Sequence, residues 1–263
     1  MNPAFKQKPM KISLTDKIVV VTGAAKGIGA AIARLFSDAG ATVILIDIDN
    51  SADDLFEDAR DKKKFYQCDV SSAQQVKDTF RKIQESFGRI DVLVNNAGIV
   101  RYGKVTDMEE EAWDATMNIN LKGAFLCSKY AIPLMKNSIS PVIINIASVQ
   151  ALVCEENVSA YVASKAGMLG LTKAIAVDYA PHIRCVAVCP GAVNTEMFKN
   201  DLLNSDDPEK FIDDTRNIHL VKRIAEPVEV ASLVVFLASD RAAFCTGTYY
   251  RVDGGIGAKI STL

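Results

Sequence analysis

A tyrosine and a lysine stand four residues apart in the stretch SAYVASK, at Tyr161 and Lys165. On a helix that spacing puts both side chains on one face, one turn apart. A free tyrosine keeps its proton to a pH of about 10, but an ammonium within ~4–6 Å favours the phenolate. Such a pair acts as a general base in one direction of a reaction and as a general acid in the other. Ser148, closing the run INIAS, adds a hydroxyl of the kind that hydrogen-bonds a reacting oxygen and offsets charge developing on it. The spacing of Tyr161 and Lys165 alone also fits a helix-surface aromatic with a solvated neighbour, so the reading depends on what surrounds the pair.

A second group of residues suits a dinucleotide. VVVTGAAKGIGAAIARLF reads as strand, glycine-rich turn and helix, with Gly23, Gly27 and Gly29 in a G-x-x-x-G-x-G pattern around Lys26 and Ile28. Glycine lets the backbone turn sharply and approach a pyrophosphate, and the helix that follows presents unpaired N–H groups and the positive end of its dipole. A tight strand–helix turn needing glycine for packing alone would look similar. The next strand, ATVILIDIDN, separates the two: it ends at Asp47, 18 residues past Gly29. A carboxylate there accepts hydrogen bonds from the adenosine ribose hydroxyls and repels a 2′-phosphate. Asp49 fits a loop acid or cap better. Lys26 pulls the other way and keeps NADP open, but no arginine follows Asp47, so the expected cofactor is NAD.

These residues need a frame that brings distant segments together. Short β-branched runs (KIVVVTG, ATVILID, FYQCDV, IDVLVNNAG, PVIINIAS, IRCVAVCPG and TGTYYRVDGG) alternate with helix-patterned stretches at 28–38, 73–87, 108–134, 161–179 and 227–237. The runs are continuously apolar, as in strands buried on both faces. The alternation predicts βαβ units: an α/β, doubly wound, Rossmann-type parallel sheet of about seven strands, with helices on both faces. Ligands of such sheets bind outside the carboxyl ends of the strands, which is where both groups of residues fall. One domain is expected over 1–263, with an N-terminal tail at 1–13, a substrate-loop region at 190–226 and a C-terminal tail at 256–263.

Composition narrows the function classes. The formal net charge is −2, with 30 basic and 32 acidic residues, so nucleic acid is not an expected partner. No apolar run approaches the length of a membrane span, and the N-terminus lacks the apolar stretch of a signal peptide. Six scattered cysteines without CxxC, and two histidines without HExxH, read as core hydrophobes in a reducing cytoplasm rather than as a metal site.

Taken in order, the motifs resemble the short-chain dehydrogenase/reductase family from Lys17 to Gly255. TGAAKGIG is similar to the family's cofactor turn. CDV places Asp69 and Val70 where the family binds adenine. NNAG, with Asn96, Ala97 and Gly98, resembles the segment that steadies the sheet and lines the cofactor. NINLKG carries Asn120 at the family's helix asparagine, INIAS carries Ser148 at its catalytic serine, and YVASK carries Tyr161 and Lys165. PGAVNT looks like the nicotinamide-side loop and brings in Pro190, Gly191, Val193 and Thr195. Ala147 departs from the pattern, since many members have a second serine there. The resemblance implies an NAD(P)-dependent oxidoreductase acting on CH–OH groups. It implies a catalytic set of Asn120, Ser148, Tyr161 and Lys165, in which Lys165 also binds the nicotinamide ribose and Asn120 fixes a water that relays protons.

The substrate is a small molecule. The segment after Ser148, VQALVCEENVSA, mixes Gln150, Glu155, Glu156 and Asn157 with Leu152 and Val153, and Arg101 and Tyr102 follow NNAG. That polarity suits a sugar or polyol better than a steroid or acyl chain. Ser148, Gln150, Asn157, Tyr161 and Gly191 are the expected substrate contacts. SVQA, SAYVASK, DYAP and RCVAVCPG resemble the aldose 1-dehydrogenases of the family, which oxidise sugars to lactones; the alternatives are a 3-oxoacyl reductase or another alcohol or steroid dehydrogenase and, against the intact catalytic set, a non-catalytic NAD-binding protein. Apolar residues in the 161–179 helix (Met168, Leu169, Leu171, Ile175, Val177) and in EPVEVASLVVFLAS exceed one buried stripe. With an expected edge strand at TGTYYRVDGG, they point to the homotetramer common in the family, and to a C-terminal tail at the substrate site.

Overall fold

Valine and isoleucine, stiff at χ1 and suited to a pleated surface, make up most of the runs that become strands. In the computed structural model, which describes residues 12–55 and 62–258, these are β1 (Ile18–Thr22), β2 (Thr42–Asp47), β3 (Lys63–Gln67), β4 (Val92–Asn95), β5 (Val142–Ile146), β6 (Arg184–Pro190) and β7 (Tyr249–Val252). They form one sheet in the order β3-β2-β1-β4-β5-β6-β7, every pair parallel. This is the doubly wound α/β fold that the alternation predicts.

Helices α1 (Gly27–Asp38) and α8 (Pro227–Ala238) cover one face, packing on Val19 and Val21. Helices α2 (Ala73–Phe87), α4 (Gly123–Met135) and α5 (Ser159–Tyr179) cover the other, where Val20 points. β1 pairs with β2 on one side and β4 on the other. The winding therefore reverses at β1 and opens a crevice beyond the ends of β1 and β4.

Two regions differ from the expectation. The helix predicted at 108–134 is interrupted: α3 (Glu110–Met117) passes through a π-helical turn at Asn118–Lys122 into α4. A π turn inserts a residue without breaking the helix, and such turns recur at functional sites. The 190–226 region holds two helices, α6 (Glu196–Leu203) and α7 (Pro208–Ile218). Each announces itself locally, since the Thr195 and Asp207 side chains cap Phe198 N–H and Lys210 N–H, and Pro208 opens α7.

The apolar excess of α5 and α8 is largely absorbed within one chain. Met168 and Ile175 are buried, Leu169 and Leu171 pack against the core, and α8 lies beside α1 on the sheet with Val230, Val234 and Leu237 fully buried. Val177, Tyr179, Val228 and Phe244 stay exposed, and β7 is the sheet edge. Most of the expected N-terminal tail (1–13) and of the C-terminal tail (256–263) lies outside the described residues; Ile256–Ala258 forms a 3-10 turn.

Candidate active site

Beyond the carboxyl ends of the strands lies a cavity of about 990 Å³, large enough for a dinucleotide and a small substrate together. Its first half is built from backbone. Gly23 turns the chain out of β1 at φ +62°, and a Cβ there would stand 2.8 Å from the Ala97 Cα. A Cβ on Gly29 would lie 1.9 Å from the Gly23 carbonyl oxygen, so Gly29 closes the turn by packing and does not itself line the cavity. Gly27 faces Thr195, its Cβ position 3.1 Å from the Thr195 Cγ2. α1 then starts at Gly27 with no side chain capping its first turn, which leaves N–H groups and the positive dipole end facing the cavity.

The β1 and β4 turns are stapled together. Thr22 Oγ1 accepts the N–H groups of Asn96 (3.0 Å) and Ala97 (3.1 Å), and the Asn96 amide donates to the carbonyls of Thr22 (3.0 Å) and Gly23 (2.9 Å). Asp47 ends β2 on the cavity wall, its carboxylate accepting the N–H groups of Ala25 (2.8 Å) and Asp49 (3.0 Å). Lys26 reaches away from Asp47 and pairs with Asp49 at 2.7 Å. That ammonium, with help from Ser51, holds the Asp49 carboxyl down at about 2. Asp69 and Val70 also line the wall; Asp69 takes both the N–H (2.9 Å) and hydroxyl (2.7 Å) of Ser71.

At the other half, the first turns of α5 bring Tyr161 and Lys165 to the ends of β5 and β6. Lys165 is 3% exposed. Its Nζ donates to the Ile146 carbonyl at 2.8 Å and sits 5.6 Å from the Tyr161 ring centroid. Burial lowers the Lys165 pKa to about 8, so it is still mostly an ammonium at neutral pH. Burial also raises the Tyr161 phenol, while the neighbouring Ser148 hydroxyl acts the other way. Ser148 is buried, and its Oγ accepts the Gln150 N–H at 3.1 Å. Pro190, Gly191, Val193 and Thr195 complete this side of the wall.

Two expected residues stand elsewhere. Asn120 is fully buried in the π-helical turn, behind the wall. Its amide donates to the Ile99 carbonyl (2.9 Å) and Ser164 Oγ (3.0 Å), and its Oδ1 accepts the Ile99 N–H (2.8 Å), so its side chain makes no direct bond to Lys165. The two meet at Gly98, where a Cβ would lie 3.3 Å from Asn120 Oδ1 and 3.4 Å from Lys165 Nζ. Asn157, expected to touch substrate, is a correction: it is exposed, takes φ +62°, and lies off the cavity wall. Asparagine tolerates this left-handed conformation, and the residue serves to turn the chain into α5, its carbonyl accepting the Gly103 N–H at 2.7 Å.

Sequence reasoning passed over Asp201, Phe198 and Phe211, which line the cavity from α6 and α7, the two rings 5.5 Å apart. It also passed over His219, at 2% exposure. The His219 Nδ1 faces the Thr215 carbonyl at 2.6 Å and therefore carries the proton, which leaves Nε2 to accept the Ala192 N–H at 3.2 Å. The ring thus latches the end of α7 to the loop after β6. One of only two histidines in the chain was the available signal, but nothing in the sequence pairs it with Ala192.

Comparison with known proteins agrees with this geometry. A family model described as enoyl-(acyl carrier protein) reductase matches residues 23–257. The solved structure of Thermoplasma acidophilum aldohexose dehydrogenase, ligand-free, superposes with a TM-score of 0.87 at 45% identity, over 95% of this chain and 98% of that one. A 3-oxoacyl-(acyl-carrier-protein) reductase of Thermotoga maritima is 39% identical, over 92% of this chain and 98% of its own. An NAD-dependent glycerol dehydrogenase of Listeria innocua is 34% identical, over 97% and 99%.

Proposed function

The chain belongs to the short-chain dehydrogenase/reductase family, oxidoreductases that act on CH–OH groups with NAD or NADP, and we propose that its own reaction is the NAD-linked oxidation of an aldose to its lactone. The observation that carries the sugar reading is Gln150. It lines the cavity near Ser148 and Tyr161, and its buried Oε1 has no hydrogen-bond partner. A buried acceptor left unpaired costs about 1–3 kcal/mol, and a substrate with hydroxyls beyond the reacting one supplies the missing donor where the hydrocarbon body of a steroid or acyl chain does not. The likeness to an aldohexose dehydrogenase supports the same reading.

The cavity's first half fits a dinucleotide: glycines whose Cβ atoms would fill the turn, an uncapped helix N-terminus for the pyrophosphate, and Asp47 for the adenosine ribose. Asp69 and Val70 border the adenine end. NAD is favoured over NADP because Asp47 faces the cavity with no cation on it, the Lys26 charge being held by Asp49. A bound NAD would supply the hydride acceptor, and its positive charge in the oxidised form would favour the phenolate of Tyr161.

The chain's own groups handle the proton. Tyr161 Oη takes the proton of the substrate hydroxyl, while Ser148 Oγ hydrogen-bonds the same oxygen and holds it in line. The Lys165 ammonium stabilises the phenolate and would hold the nicotinamide ribose hydroxyls. Asn120 acts as a positioning residue, fixing the Ile99 segment and Ser164 on either side of Lys165. The reduced thiols of all six cysteines support a cytoplasmic location. The exposed Val177, Tyr179 and Phe244 near an open sheet edge support a homotetramer, which light scattering tests against the 28.5 kDa chain. The substrate reading is tested by following NADH formation with aldoses, polyols, steroids and hydroxyacyl thioesters, with NAD and NADP in parallel. Lactone from an aldose is the expected product; turnover of thioesters or steroids with no aldose oxidised would overturn it.

A further inference from the structure

The substrate pole of the cavity carries an unbalanced charge. Glu155 comes from the segment after β5 and Asp201 from α6, and both line the wall with Gln150 and Tyr102. Gln150 Nε2 donates to Glu155 Oε2 at 2.9 Å, fixing both side chains. The Tyr102 phenol and the Asp201 carboxylate line the same wall, and burial raises the pKa of both, with Asp201 adding to the rise at Tyr102. Among the described residues, Lys26 and Lys165 are the only basic side chains on the cavity wall. Lys26 stands at the glycine turn paired with Asp49, and Lys165 is committed to Ile146 and the Tyr161 ring. Arg101 adjoins Tyr102 in sequence, but it is off the wall and its guanidinium donates to the Val100 carbonyl. Glu196 and Asp206 line the same cavity, so an anion entering this pole meets carboxylates and, among the described residues, no free cation.

We propose that Glu155 and Asp201 act as a charge filter at the substrate pole, admitting neutral polyhydroxyl substrates and rejecting their anionic counterparts, sugar phosphates and uronates. The proposal rests on the reading that this pole holds the substrate, and it deepens that reading by naming the class. Hydroxyls are donors, and the pole offers carboxylate oxygens and the unpaired Gln150 Oε1 as acceptors. A like charge about 5–8 Å away is disfavoured by roughly tenfold or more for the two carboxylates together, half-buried Asp201 contributing more than exposed, better-screened Glu155. The filter also places the reaction in a sequence: a step that phosphorylates this sugar must follow the oxidation, not precede it.

The test uses matched pairs that share a reacting centre and differ in charge: glucose against glucose 6-phosphate, galactose against galacturonate, and, outside the sugars, ethyl 3-hydroxybutyrate against 3-hydroxybutyrate. The wild-type protein should prefer the neutral member of each pair by about tenfold or more in kcat/KM. Glu155→Gln with Asp201→Asn should narrow that ratio by about tenfold or more, through a lower KM for the anion. The amides keep acceptor oxygens, so the ratio reports charge rather than lost hydrogen bonds. Thermal shift of the NADH-bound protein by the same pairs reads the preference without turnover. Equal treatment of the two members by the wild type, or an unchanged ratio in the double variant, would overturn the filter. Failure of every aldose, with the hydroxybutyrate pair still discriminated, would sink the sugar reading and leave the filter standing.

Discussion

The two halves of the cavity are built on different principles. The half around Gly23 and Asp47 is made of backbone held by a buried sheet. Val19, Val20 and Val21 are wholly buried, α1 buries Gly29, Ile32, Ala33 and Phe36, and the shape depends on side chains that must be absent. The half around Asp201 is made of side chains on helices that bury none of their residues: α6 and α7 are held by the Thr195 and Asp207 caps, the Phe198–Phe211 pair and the His219 latch. A constant ligand such as a dinucleotide is met by rigid backbone, whereas the group that varies between relatives is met by replaceable side chains on lightly anchored elements. That division explains how one fold serves a sugar dehydrogenase and an acyl-carrier-protein reductase among the proteins this chain resembles.

The sharpest way to break the contrast is at a glycine. Gly29→Ala puts a methyl on top of the Gly23 carbonyl and should abolish NADH binding in a fluorescence titration, because the turn has nowhere to move. Gly170→Ala, on α5 with nothing within 4 Å of its Cβ position, should leave binding intact and stabilise the protein by about 0.5–1 kcal/mol. Equal effects of the two would deny that the cofactor half is sterically fixed.

Lys165 lies between the halves and trades stability for function. Its folded pKa, about 8, lies below its unfolded value of 10.5, so the unfolded chain binds more protons between those values and stability rises with pH across them. Lys165→Met should abolish turnover yet raise the melting temperature at pH 7, by on the order of 3 kcal/mol of stability at most. The gain should be full below about pH 8 and fade toward pH 10.5. A lower melting temperature at pH 7 would mean that the Ile146 hydrogen bond and the Tyr161 ring outweigh desolvation.

Asp47→Ser tests the adenosine end. It should lower the NAD-to-NADP ratio of kcat/KM by about 10- to 100-fold, since one repulsive charge is removed. A wild type that already prefers NADP would show that Lys26 leaves Asp49 for the 2′-phosphate. The smallest effect is expected in the substrate half. His219→Ala leaves the Ala192 N–H without its acceptor and should cost about 1–3 kcal/mol of stability with a severalfold rise in KM. A loss of activity as large as that of Gly29→Ala would mean that the loop after β6 is as rigid as the glycine turn.

The same division governs what the sequence discloses. The cofactor half is local: Gly23, Gly27, Gly29 and Asp47 fall within one βαβ unit, where glycine spacing and a strand end speak directly of backbone shape. The seven strands are equally plain, because burial on both faces forces continuous apolar runs. The substrate half joins Tyr102, Gln150, Glu155, Asp201 and Phe211, which no short-range pattern relates. Asn157 has a polar side chain in the expected segment, but its backbone conformation, invisible in the sequence, assigns it to a turn. The helices α6 and α7 bury none of their residues; α6 has little hydrophobic periodicity, α7 is amphipathic, and their caps at Thr195 and Asp207 mark where they start.

The central claim is that Tyr161, beside Lys165 and Ser148, moves the substrate proton. Single-turnover formation of NADH by wild type and Tyr161→Phe, at saturating NAD and aldose, tests it most directly, with NADH affinity measured alongside. The phenylalanine keeps the ring and its packing over Lys165 and removes only the titrating hydroxyl. The account predicts a rate lower by about 10²–10⁴ or more with NADH affinity nearly unchanged. A rate within a few-fold of wild type, with cofactor bound normally, would contradict it.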